Sequence, residues 1–119
     1  MESARAQRVG ELIREELSEL IRREVKDPRV GFVTITGVDV TPDLRYATIY
    51  ISVLGSNKER EDSLKILQKT GGFLRKELAK RIRLKYFPEL KFEFDRLIES
   101  ALRIEKIIKK LQQEEETHE

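Results

Sequence analysis

The sequence predicts one α+β domain whose elements run α-β-β-α-α-β and end in a further helix. Three observations carry that prediction. An apolar stripe at helical spacing fills the first 25 residues, and two segments of alternating character follow between residues 32 and 53. After them helical periodicity returns, interrupted by one short strand-like run, LKFEF. The chain has 119 residues, the size of a single domain.

Ser3 is the expected cap of the first helix, which the spacing carries to about Lys26. Val9, Ile13, Leu17, Leu20 and Ile21 recur at helical intervals, with Leu12 and Val25 beside them. Asp27-Pro28 ends the helix, because a residue before proline is pushed out of the helical region. FVTITGVDV and YATIYISV are two strands joined by TPDLR, whose Pro42-Asp43 supplies turn chemistry. In the second strand Ala47, Ile49, Ile51 and Val53 share one face, and Tyr46, Thr48, Tyr50 and Ser52 the other. In the first, Val33 and Ile35 are out of phase with Val38 and Val40. A bulge near Gly37 would return all four to the core.

Ser56-x-x-Glu59 has the form of a capping box and opens a second helix through Leu64 and Leu67. Gly71-Gly72 is expected to stop that helix, since each glycine costs about 1 kcal/mol relative to alanine. A third helix begins at once, with Leu74, Leu78 and Ile82 on its inner edge and Phe73 beside them. Pro88 precedes the third strand, where Leu90, Phe92 and Phe94 share a face. Leu97, Ala101, Ile104, Ile108 and Leu111 then form a coiled-coil-like stripe. The expected organisation is a core over residues 1–95, a C-terminal helix over 96–111 and an acidic flexible tail over 112–119.

Catalysis finds little support. Without cysteine the chain has no disulfide, thiolate metal site or cysteine nucleophile. Its one histidine, His118, sits in the acidic tail, and no phosphate loop, GxGxxG, HExxH or EF-hand spacing occurs. Glu15-Glu16 and Glu114-Glu115-Glu116 fit solvated faces better than a shielded acid–base pair. No metal or other cofactor is expected. No apolar run approaches the roughly 18 residues of a membrane span. MESARAQRV lacks the apolar core of a signal peptide, so a cytoplasmic protein without a membrane partner is expected.

Charge is unevenly spread. The formal net charge is +2, yet Thr70 to Lys91 holds seven basic and two acidic residues, and Gln112 to Glu119 holds four glutamates. Lys76, Lys80 and Arg83 are spaced by four and three, placing them on one helical face with Arg75 at its edge. Lys85 and Lys91 continue the stripe. A tight bend at Gly71-Gly72 would expose the amides of the next helix, a site suited to phosphate oxygens. A charged face is usually only solvated, but here its position beside those amides favours a phosphate backbone. A competing site is the outer sheet face, where Phe32, Tyr46 and Tyr50 would stack single-stranded bases.

The succession RVGELIREEL, VKDPRVGFVTITGVDVTPDLRYATIYISV, TGGFLRKEL and LKYFPELKFEFD resembles the bacterial ribosome-binding factor A family, from about Arg8 to Leu111. DPRVGFVTIT, TPDLRYATIY and PELKFEFD are its most specific pieces. The resemblance implies a type II KH-like fold in which a helix–kink–helix with an Ala-X-Gly signature replaces the usual GXXG loop. That signature falls on Thr70-Gly71-Gly72, where Gly72 matches and Thr70 departs from the alanine. A threonine hydroxyl bonds back to helical carbonyls, which bears on the kink geometry. The implied RNA-binding set is Thr70, Gly71, Gly72, Arg75, Lys76, Lys80, Arg83 and Lys85. The implied function is non-catalytic. A monomeric factor binds the immature 30S subunit and its 16S rRNA, assists late assembly and rRNA processing, and leaves before translation. Family members are often linked to growth in the cold. The residues alone support a small basic RNA-binding domain; a generic KH-type RNA binder and a protein-interaction module using the Leu97–Leu111 stripe are the alternatives.

Overall fold

In the computed structural model, which describes residues 3–117 and side chains through residue 115, three helices accompany one three-stranded sheet. The order is α1 (Ala4–Glu24), β1 (Phe32–Val40), β2 (Tyr46–Leu54), α2 (Asn57–Arg81), β3 (Glu89–Phe94) and α3 (Arg96–Thr117). The Ser3 hydroxyl accepts from the Ala6 amide and caps α1, whose face at Val9, Ile13, Leu17, Leu20 and Ile21 is buried. Val25 closes the helix, one residue before the expected end. Gly10 lies on the same buried face. A Cβ there would sit 3.0 Å from the Val38 carbonyl oxygen, so α1 approaches β1 as closely as a bare backbone permits.

The sheet order is β1-β2-β3, with β1 and β2 antiparallel and β2 and β3 parallel. The register slips between Ile35 and Gly37, which is the expected bulge. It returns Val38 and Val40 to the core side, where they join Val33 and Ile35. Ala47, Ile49, Ile51 and Val53 are buried on β2, and Phe92 is buried on β3. The turn between β1 and β2 holds Leu44 at φ 60°, stabilised by its amide donating to the Thr41 carbonyl.

The Ser56–Glu59 capping box is formed in both directions. The expected break at Gly71-Gly72 is absent. α2 is one 25-residue helix, so the two expected helices are one continuous element. The reason lies in the spacing of Leu67, Gly71, Leu74 and Leu78, which are all buried and recur every three or four residues. Those side chains keep one face only if the backbone winds without interruption. Gly71 lies in that seam beside Phe92, 3.9 Å from where its Cβ would be, and Gly72 faces open space. Neither has positive φ.

One contact was not foreseen. Ser63, fully buried, donates to the Glu59 carbonyl at 2.7 Å and accepts from the Gly31 amide at 2.9 Å. It ties the segment after α1 to α2.

α3 is held at its first turn. The Asp95 carboxylate accepts from the Leu97 and Ile98 amides, and from the Thr36 hydroxyl at 2.6 Å. Arg60 forms an ion pair with Glu99, and its guanidinium lies over the Phe94 ring. From Ala101 to Glu115 every residue is exposed. The helix does not stop at Leu111 but continues to Thr117, since glutamine and glutamate are good helix formers. His118 lies outside the described residues.

Two predictions follow from these contacts. Gly72→Ala should raise stability by about 0.5–1 kcal/mol, because the added methyl meets nothing and the helix gains propensity. Gly10→Ala should lower stability, as α1 must retreat from Val38; urea midpoints of the two variants should move in opposite directions. The second concerns Asp95, whose carboxyl is held below the ordinary value of 3.8 chiefly by the Thr36 hydroxyl, with the Ile98 and Leu97 amides adding to it. Its contribution to stability is complete above that value and is lost as pH falls through the depressed one. Thr36→Val should raise the Asp95 pKa in a carboxyl NMR titration and reduce the acid sensitivity of unfolding.

Candidate RNA-contact surface

The basic segment divides into scaffold and free charge. Arg75 is committed to structure. Its Nη2 donates to the Phe87 carbonyl at 2.6 Å and its Nε to the Pro88 carbonyl at 3.1 Å, fastening the α2–β3 connection to the helix. Arg81 pairs with Glu16 of α1 at 3.1 Å, Lys80 with Glu77 at 3.1 Å and Lys91 with Glu93 at 3.2 Å. Lys76 and Arg83 have no ion pair among the described residues, and both are exposed. Lys85 is exposed and lies over the Tyr86 ring.

The expected common face is only partly present. Lys76 and Lys80 stand on α2, but the helix ends at Arg81 and Ile82 is an extended cap whose amide donates to the Leu78 carbonyl. Ile82 is buried, so the chain turns in at that point and carries Arg83 and Lys85 onto the following connection. No amide is freed at the glycine pair, because the residues after it remain inside α2. Gly71 is buried and so is not available to a ligand. The Thr70 hydroxyl donates back to the Ile66 carbonyl at 2.8 Å and the Leu67 carbonyl at 3.2 Å, a back-bond that favours a bend while leaving the helix continuous. Lys76 and Lys80 on α2 and Arg83 and Lys85 on the connection remain as exposed candidate contacts; the helix-start part of the expected site does not.

The aromatic platform is also redistributed. Phe32 pairs with Leu54 at one end of the sheet and Tyr46 with Glu89 at the other. Eight residues of strand separate these ends, about 27 Å at an ordinary rise. Tyr50 lies between them and is half-buried, and burial followed by the charge of Asp39 pushes its phenol up. The three rings share a face without forming one patch. Sequence reasoning passed over Tyr86, which is 77% exposed. It lines one cleft with Tyr46, because β3 starts beside the β1–β2 turn. Only the pairing of Tyr46 with Glu89 reveals this.

Among the described residues no cluster of carboxylates and histidine is placed to hold a metal ion. No helix of the described chain is long and apolar enough to cross a membrane.

Comparison with known proteins places these features in a family. The sequence model described as Ribosome-binding factor A matches residues 5–108. A Ribosome-binding factor A from Desulforamulus reducens is 48% identical over 119 residues, covering 98% of this chain and 99% of the relative. Among solved structures, a Thermotoga maritima protein described as a candidate ribosome binding factor A is 35% identical with a TM-score of 0.68. That match covers 78% of this chain and 89% of the other. A homology model of the Thermus thermophilus ribosome binding factor A, fitted into a map of a 30S complex with that factor, is similar at a TM-score of 0.65 and 24% identity. It covers 76% of this chain and 96% of its own. The chain belongs to the ribosome-binding factor A family.

Proposed function

We infer that the protein is a non-catalytic maturation factor, which binds the 30S subunit through its 16S rRNA and assists late assembly and rRNA processing in the cytoplasm. Family membership over residues 5–108 is the observation that carries this reading. The exposed cations Lys76, Lys80, Arg83 and Lys85 support it, since phosphate neutralisation needs accessible charge. A second reading, a protein-interaction module, is favoured by the exposed Leu97, Ile104, Ile108 and Leu111 of α3.

Sedimentation of extract from cells making the protein separates the readings. Co-migration with free small subunits and absence from polysomes is the expected result. Binding to purified rRNA should fall steeply with salt, at roughly −0.7 per phosphate contact for single strands. Salt-insensitive association with protein alone would favour the second reading.

Substitutions then separate scaffold from contact. Lys76→Ala, Lys80→Ala and Arg83→Ala combined should leave each site within about 0.5 kcal/mol of the parent stability and flatten the salt slope. Arg75→Ala should instead destabilise by about 1.5–3 kcal/mol, because its charge-assisted bonds hold the Phe87–Pro88 connection. Urea denaturation alongside rRNA titration distinguishes the two classes.

A further inference from the structure

A cleft of about 710 Å³ opens between the β1–β2 turn and the α2–β3 connection. Tyr46 and Tyr86 line it and are 53% and 77% exposed. Four cations, Arg5, Arg45, Arg75 and Lys85, share its walls with two carboxylates, Asp43 and Glu89. One of these carboxylates is already engaged. Asp43 accepts from the Thr41 hydroxyl at 2.6 Å and from the Arg45 amide, which hold its pKa below the ordinary value.

We propose that this cleft takes unpaired nucleotides of single-stranded RNA, with a base stacked on Tyr46 or Tyr86 and the adjoining phosphates on Arg5, Arg45 and Lys85. The proposal rests on the RNA-binding reading and names the strand state that one site would select. Three features argue for it. An exposed tyrosine presents a flat ring at low entropic cost, and every base has a π-face to meet it. Two tyrosine rings interleave with cations here, whereas the one aromatic beside Lys76 and Lys80 on α2 is the half-exposed Phe73. A duplex keeps its bases stacked inside, so such rings offer it little.

The walls are built before any ligand arrives. Arg75 bonds fix the connection that carries Tyr86. The turn on the other side is closed by the Thr41 amide donating to the Tyr46 carbonyl at 2.9 Å. The two walls are joined where the Glu89 amide donates to the Arg45 carbonyl at 2.8 Å. A pre-formed site avoids the ordering cost that a mobile loop would incur.

The chain supplies its own probe, having no tryptophan and three tyrosines, of which Tyr46 and Tyr86 lie in the cleft. Titration of the full chain with a single-stranded oligouridine should quench tyrosine emission, while a blunt RNA duplex of equal length should quench it far less. Affinity for a fluorescein-labelled oligouridine, read by anisotropy, should fall about fivefold or more for each of Tyr46→Leu and Tyr86→Leu. Leucine keeps apolar bulk, and a thermal melt checks that each variant folds; Tyr86→Leu, in a connection rather than a strand, keeps the test available if Tyr46→Leu does not. Binding to purified rRNA is measured in parallel. If the parent binds rRNA and the folded tyrosine variants bind oligouridine as it does, the cleft is not the site and the broader reading stands. If the parent binds neither RNA, both readings fall.

Discussion

The fold depends on α2 crossing the sheet as one continuous helix. Parallel strands cannot be joined by a hairpin, so β2 and β3 become neighbours only through a crossover of this kind. The helix is held by Leu67, Leu74 and Leu78, which are fully buried in one cluster with Ile49, Ile51 and Phe92. Burying three such side chains is worth about 5–9 kcal/mol, against a helix penalty of about 2 kcal/mol for two glycines. Packing therefore wins over local propensity, and the helix continues through the glycine pair.

That contest also marks the limit of what the sequence disclosed. The caps at Ser3 and Ser56, both β2 faces and the bulge before Gly37 were legible, because each is decided by neighbours within a few residues. The helix through Gly71-Gly72 was misjudged because punctuation was weighed without phase. Gly71 occupies a position in the same buried seam as Leu67 and Leu74, and that periodicity was present in the sequence. The structural role of Arg75 was not legible. Its partners are backbone carbonyls at positions 87 and 88, and carbonyls leave no trace in composition. Tyr86 escaped for a similar reason, since its relation to Tyr46 comes from strand register.

The same distinction reorganises the basic segment. A count of Lys and Arg treats each charge alike, but a guanidinium fastened to two carbonyls and one paired with Glu16 act as fasteners. Accessible charge is a smaller and differently shaped set, placed on the second half of α2 and on the connection after it. Positive charge here serves first to assemble the domain and then to face outward, and the two uses are interspersed along one stretch.

The free length of α3 has a hydrodynamic consequence. With its anchor confined to the first turn, the helix extends the particle to 65 × 37 × 17 Å and the radius of gyration to 17.4 Å. A compact chain of this length would have a radius near 13–14 Å, and 17.4 Å corresponds to a compact protein of roughly 230 residues. The excess comes from elongation, which raises the radius of gyration without adding mass or packed volume. Column elution calibrated on spherical standards will therefore overstate the mass of a single copy, and light scattering, which weighs the particle instead of sizing it, will not.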